Sequence, residues 1–223
     1  VELVAVSVLD IDLGLDLAGR RVSALQEAQN GGKPFPAEKF VNKIPVKKHD
    51  HVLIPAGTVH CSGADTMVLE ISATPYIFTF KLWDWGRVDL DGKPRPIHLE
   101  HGAANIQWYR NTEWVHRNLV NAVAEVYTGE NGTVVRTGLH EREFLDTFRF
   151  TTSSALPVHR NGSVHMLNLV DGTRAVLRSK SDAFPPLELH YAETCIVPQA
   201  AGDYEIYSPD GSEVKVILAC VRN

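Results

Sequence analysis

Cysteine is scarce in this chain, and positive charge is in deficit. Three cysteines in 223 residues, Cys61, Cys195 and Cys220, form no spacing pattern. An odd, sparse set suits a reducing compartment, so a cytoplasmic location is expected. Lys and Arg number 22 against 27 Asp and Glu, a formal net charge of −5. That leaves no basic footprint, and no nucleic-acid partner is expected. No apolar run approaches the roughly 18 residues of a membrane-spanning helix, so no membrane partner is expected either. The opening Val1-Glu2-Leu3-Val4-Ala5-Val6 is too short for the apolar region of a signal peptide and lacks a basic start.

A hydrophobic fraction of 44% with 22% charged residues is ordinary globular composition, and the length allows one or two domains. Residues 1–9 are mostly apolar and read as a buried strand. Residues 10–30 mix leucines with Arg20, Arg21, Gln26 and Glu27 and read as a helix stopped at Asn30-Gly31-Gly32. Residues 37–43 form either a short helix or a surface turn. Val52-Leu53-Ile54 is an apolar run ended by Pro55 and Gly57, the pattern of a strand running into a tight corner. His60 follows at the corner's exit. Residues 67–71 and 76–81 are β-rich. Asp91-Gly92 marks a hairpin. Residues 98–107 are compatible with a helix. Residues 114–127, with Trp114, Leu119, Val123 and Val126 near a four-residue spacing and a cap at Asn111-Thr112, predict a second one. From Gly138 onward, short β-rich runs alternate with Asn161-Gly162, Asp171-Gly172 and Asp210-Gly211 turns, which predicts a β-sandwich or barrel.

Residues 51–61 can be laid over residues 194–205 with Pro55 on Pro198 and His60 on Asp203. This weak repeat suggests two related β units, with no histidine at the second corner.

Four motifs carry a resemblance: Ile54 to His60 (IPAGTVH), Val68 to Ser72 (VLEIS), Phe80 to Arg87 (FKLWDWGR) and Leu90 to His98 (LDGKPRPIH). Together they resemble the type I mannose-6-phosphate isomerases, zinc-dependent phosphomannose isomerases of the cupin superfamily. The whole chain is similar to the C-terminal part of a longer two-cupin member. The resemblance implies a mainly β fold of two cupin-type jelly-roll barrels with a few connecting helices. The expected organisation is a partial cupin unit over residues 1–110, a helical connection over 111–137 and a metal-free cupin-like unit over 138–223.

The implied activity is a metal-dependent aldose–ketose isomerase of carbohydrate metabolism, converting mannose 6-phosphate to fructose 6-phosphate through an enediol. His60 is then the ligand of zinc or another divalent metal. Lys81 stands where the family has an arginine, keeping the charge and losing the bidentate fork. Arg87 aligns with a second basic residue, and Asp84 is expected to hold one of these cations. Glu70, between Leu69 and Ile71, alternates onto the opposite face and is either a proton carrier, a metal-site neighbour or a salt-bridge partner of Lys81 or Arg87. Lys93 and Arg95 are expected to support the surface.

The family also uses an upstream Gln-x-His pair and a later Glu, and this sequence has no matching Gln-x-His-Pro. The chain begins at Val1 without Met: either it is a fragment of a longer protein, whose upstream segment is then an expected partner beside the sugar-phosphate substrate, or it has lost that segment. The alternative is a non-catalytic sugar-binding or scaffold cupin fragment. The His49/His51 pair offers either two ligands on one strand face or a solvated strand entry. The remaining histidines show no ligand spacing, and Cys61 reads as a small buried residue.

Overall fold

A computed structural model of the chain describes residues 2–6, 14–31, 34–72 and 79–222. The fold is mainly β, of cupin type, with antiparallel sheets, and the chain divides into two compact units, Val1–Asn121 and Ala122–Asn223. Among the described residues no helix is long and apolar enough to cross a membrane.

In the first unit, strands β1 (Glu2–Val6), β2 (Asn42–Val46) and β3 (His60–Ser62) form an antiparallel sheet in the order β2-β1-β3. The expected first strand is thus present at Glu2–Val6, and the rest of its range lies outside the described residues. Helix α1 (Gly14–Gln29) occupies most of the predicted 10–30 helix. Residues 37–43 give a single 3-10 turn, Ala37–Lys39, followed by β2. Helices α2 (Leu99–Asn105) and α3 (Thr112–Asn118) follow, the latter capped as expected: Asn111 Oδ1 accepts from Trp114 N at 2.8 Å. A small core of Ile44, Val115 and Leu119, with Val52, Leu53 and Trp114 against it, fixes β2 and α3 beneath the chain entering the corner.

Three expectations need correction here. Val52-Leu53-Ile54 is no strand: Val52 makes one bridge to Val120, and Leu53 N donates to the Leu119 carbonyl at 3.0 Å. Residues 67–71 form no strand with any of the described residues, and Val68, Leu69 and Glu70 are all exposed, so no alternation of faces exists there. Residues 76–78 lie outside the described residues, and 79–81 are not in a strand. Finally, the 114–127 helix ends at Asn118: Asn121 turns into the left-handed region (φ 52°), and Ala124 opens a strand.

The second unit is built of strands, with one 3-10 turn at Gln199–Ala201. Strands β4 (Ala124–Gly129), β5 (Gly132–Arg136), β6 (Leu145–Thr152), β8 (His165–Asp171), β11 (Thr194–Val197) and β13 (Val214–Val221) make one sheet in the order β11-β8-β13-β6-β5-β4. Strands β7 (Ala155–Val158), β9 (Arg174–Ser179), β10 (Leu187–His190) and β12 (Tyr204–Tyr207) make the other, in the order β10-β9-β12-β7. One core joins the sheets: Leu167, Leu169, Val214 and Val216 from the larger pack with Leu156, Leu177, Leu189 and Ile206 from the smaller. Each such side chain contributes about 1.5–3 kcal/mol when fully buried. Two sheets closing on one core is the jelly-roll arrangement.

Candidate functional site

The corner is clamped from below. Gly57 takes φ +83°, which an L side chain rarely adopts, and a Cβ there would lie 2.6 Å from the Asn105 carbonyl oxygen. The Gly57 carbonyl accepts from Gln107 N at 2.9 Å. Arg110, only 8% exposed, sends Nη1 to the carbonyls of Pro55 (3.0 Å) and Ala56 (2.8 Å) and to the Thr58 hydroxyl. Its guanidinium lies 5.3 Å from the Trp114 ring centroid and 5.6 Å from that of Tyr109. A buried cation is held here by oxygen dipoles and ring faces.

His60 leaves this corner as the first residue of β3, exposed. Its Nδ1 lies 2.9 Å from the carbonyl of Thr58. A carbonyl only accepts, so Nδ1 carries the proton and Nε2 presents its lone pair, the arrangement typical of a metal-binding imidazole. Beside it Cys61 is half-buried, and burial pushes its thiol up, away from the thiolate form. Among the described residues no three His, Cys, Asp or Glu side chains gather around a common point. His49 sits in a turn at φ 72°, so His49 and His51 do not share a strand face.

A second cluster is built on Asp84, which is 8% exposed. Its Oδ2 meets Lys81 Nζ at 3.4 Å and Arg95 Nε at 3.0 Å. The expectation that Asp84 holds a cation is met by Lys81. The second cation is Arg95, expected only to support the surface, while Arg87 donates its backbone N–H to the Asp84 carbonyl at 2.9 Å and is itself exposed. Local structure explains the exchange. Asp89 Oδ1 accepts from Asp91 N and Lys93 N, both at 2.9 Å, closing the predicted hairpin. The hairpin brings Arg95 N to the Arg87 carbonyl at 3.0 Å, and so places Arg95 beside Asp84. Lys81 is pinned through its backbone to His98, whose Nδ1 accepts from Lys81 N at 3.1 Å. Glu70 is exposed and makes no ion pair among the described residues, which removes its reading as a salt-bridge partner of Lys81 or Arg87.

Sequence reasoning missed Arg95 and Arg110 as members of these clusters. For Arg95 a signal existed, because a hairpin turning at Asp91-Gly92 returns residue 95 opposite residue 87. For Arg110 there was none, since its partners lie more than fifty residues away in sequence.

No protein-family model matches the chain. It is 35% identical over 63 residues to mannose-6-phosphate isomerase of Streptococcus mutans, covering 28% of this chain and 20% of that protein. It is 33% identical over 70 residues to mannose-6-phosphate isomerase ManA of Bacillus subtilis, covering 31% of this chain and 22% of that protein. The solved mannose 6-phosphate isomerase structure from Bacillus subtilis aligns over 98% of this chain and 60% of its own, with a TM-score of 0.63 and 14% identity. The matched segments thus span about a fifth of the curated relatives' length, and the chain spans less than two thirds of the solved structure. The chain is related to mannose-6-phosphate isomerases over a short segment and shares their cupin fold.

Proposed function

We propose that this chain is part of a sugar-phosphate isomerase that interconverts mannose 6-phosphate and fructose 6-phosphate. The observation that carries the reading is the corner: a rigid Pro-Gly turn, clamped by Arg110, that aims the Nε2 lone pair of His60 outward. The short sequence relationship to mannose-6-phosphate isomerases supports it.

Aldose–ketose isomerisation moves a proton between C1 and C2 through an enediol, so it needs a proton carrier and a stabiliser of the developing oxyanion. Lys81, half-buried and held by Asp84, is the cation we assign to the oxyanion, with Arg87 as the exposed cation that meets the substrate's phosphate. Glu70, exposed and outside any ion pair among the described residues, is the carboxylate we assign to proton transfer. A catalytic zinc takes three protein ligands, and the described residues bring one imidazole, so by themselves they do not fit the metal. His60 would be one member of a set completed by residues outside those described, an upstream segment of the same protein among them.

The test is a coupled assay for fructose 6-phosphate formed from mannose 6-phosphate, on the chain and on a version extended upstream. The expected result is activity in the longer version that falls at least about 100-fold in Lys81→Met and in His60→Ala. Full activity in both variants overturns the assignment. Binding of mannose 6-phosphate with no turnover in either length favours the non-catalytic sugar-binding alternative.

A further inference from the structure

Helix α2 seats the segment that carries Lys81. Gly102, buried within that helix, leaves a notch that Leu82 fills, and a Cβ there would overlap Leu82 Cδ2. Phe80 packs on the same helix end. Its ring meets His98 edge-on with centroids 6.3 Å apart, and lies nearly parallel to His101 at 5.9 Å. Lys81, between these two anchors, sends its ammonium to Asp84 at 3.4 Å.

His98 holds the N-cap position of α2, yet its side chain caps nothing. A side-chain acceptor at that position ordinarily bonds an N–H of the helix's own first turn. The acceptor is spent elsewhere: Nδ1 takes the Lys81 backbone N–H at 3.1 Å. In return, His98 N donates to the Lys81 carbonyl at 2.7 Å. One residue therefore satisfies both backbone polar groups of Lys81, from 17 positions away. A backbone N–H only donates, so Nδ1 is bare and the neutral ring carries its proton on Nε2. This is the opposite tautomer to that of His60, and a ring protonated on Nδ1 could not make the contact.

We propose that His98 is the positioning residue for Lys81, its bare Nδ1 fixing the backbone from which the ammonium reaches the oxyanion. The inference rests on the role given to Lys81 in the isomerase reading. A lysine side chain is long and flexible, so its charge is placed only when both ends are held. Asp84 holds the ammonium and His98 the main chain. An oxyanion develops only in the transition state, so a misplaced cation lowers kcat and leaves substrate binding nearly unchanged. A displacement of about 1 Å is enough for a loss of up to about 100-fold.

The decisive variant is His98→Phe, which keeps a ring against Phe80 and removes the acceptor. In the 223-residue chain, hydrogen exchange at the Lys81 amide is expected to be at least about tenfold faster than in the parent. In the version extended upstream, kcat for mannose 6-phosphate is expected to fall about tenfold or more, with KM within about threefold. His101→Ala removes the stacked ring but no bond to Lys81, and it is expected to leave both the exchange and kcat within about twofold. Nitrogen-15 spectra of the parent chain are expected to show His98 as the Nε2–H tautomer, whatever the variants do. An Nδ1–H form of His98, or Lys81 exchange unchanged in His98→Phe, overturns the proposal. So does an unchanged kcat in an active protein, or a loss carried by KM. No turnover in any version overturns the isomerase reading and the catalytic part of this one, and exchange and tautomer then decide whether His98 holds Lys81.

Discussion

Arg110 donates from Nη1 to the carbonyl of Ala56 at 2.8 Å, and the same nitrogen reaches the Pro55 carbonyl and the Thr58 hydroxyl. Thr58 in turn offers its carbonyl to His60 Nδ1. A buried guanidinium is therefore two contacts away from the ring proposed to bind metal.

Replacing that guanidinium should loosen the corner. Arg110→Lys keeps the charge but not the reach of the fork, and hydrogen bonds from charged donors contribute about 1.5–3 kcal/mol. The expected loss is about 2 kcal/mol in urea unfolding. Tryptophan fluorescence is a clean reporter, because Trp83, Trp85, Trp108 and Trp114 all lie in the first unit. In nitrogen-15 spectra His60 of the parent chain should be the Nδ1–H tautomer, and the variant should lose that preference. An unchanged tautomer in a destabilised variant would reduce Arg110 to a purely structural role.

Gly57→Ala tests the same corner from the backbone. The new Cβ would meet the Asn105 carbonyl oxygen at 2.6 Å and Gln107 Cγ at 2.7 Å, at a residue held at φ +83°. Left-handed strain and overpacking together should cost more than about 2 kcal/mol. A fluorescence-monitored urea midpoint within error of the parent would show that the corner relaxes without cost.

The second unit was largely legible in the sequence because its turns announce themselves. Asn-Gly and Asp-Gly pairs bound runs whose alternation matches one buried face, as in Val214 to Leu218. Residues 119–127 misled for a physical reason. Val123 and Val126 continue a helical spacing from Trp114 but are exposed, so that spacing buries nothing beyond Leu119. The Asn131-Gly132 turn, flanked by Val126, Tyr127, Val134 and Val135, was the competing hairpin signal, and it prevails. At the site, Asp84 as a holder of cations could be read from the local motif. Arg110 could not, because a lone arginine in a loop acquires meaning only when a distant turn folds onto it.

Zinc binding by this chain alone should be weak. One outward imidazole, with no cluster of three donors among the described residues, predicts an affinity weaker than about 1 µM by calorimetry. The version extended upstream should bind one zinc far more tightly and lose it in His60→Ala. Tight stoichiometric zinc in the short chain, unaffected by His60→Ala, would remove His60 from the ligand set.

Acid should act first on His165, in the interior of the second unit. This ring is 2% exposed, with Nδ1 at 2.9 Å from the Tyr204 hydroxyl and Nε2 at 3.1 Å from Asn161 Oδ1. Burial, helped by the nearby Arg160 charge, lowers its pKa from 6.5 to about 4. The folded state therefore resists a proton that the unfolded chain accepts readily. Above pH 6.5 both states are neutral and the group has no effect. As pH falls from 6.5 toward 4, the unfolded state gains protons and stability declines, and below about 4 the decline from this group ends. Between pH 7 and pH 5 the expected loss is about 2 kcal/mol. Asp203 and Asp210, whose carboxyls are held below their usual range by hydrogen bonds, lose their contributions only at lower pH, so they leave this window to the histidine. His165→Gln keeps a donor and an acceptor without a titrating ring, and it should flatten the profile between pH 7 and pH 5. The unfolding is read by circular dichroism of the β structure, while tryptophan fluorescence reports the first unit as an internal control. An equally steep decline in His165→Gln would place the acid sensitivity elsewhere.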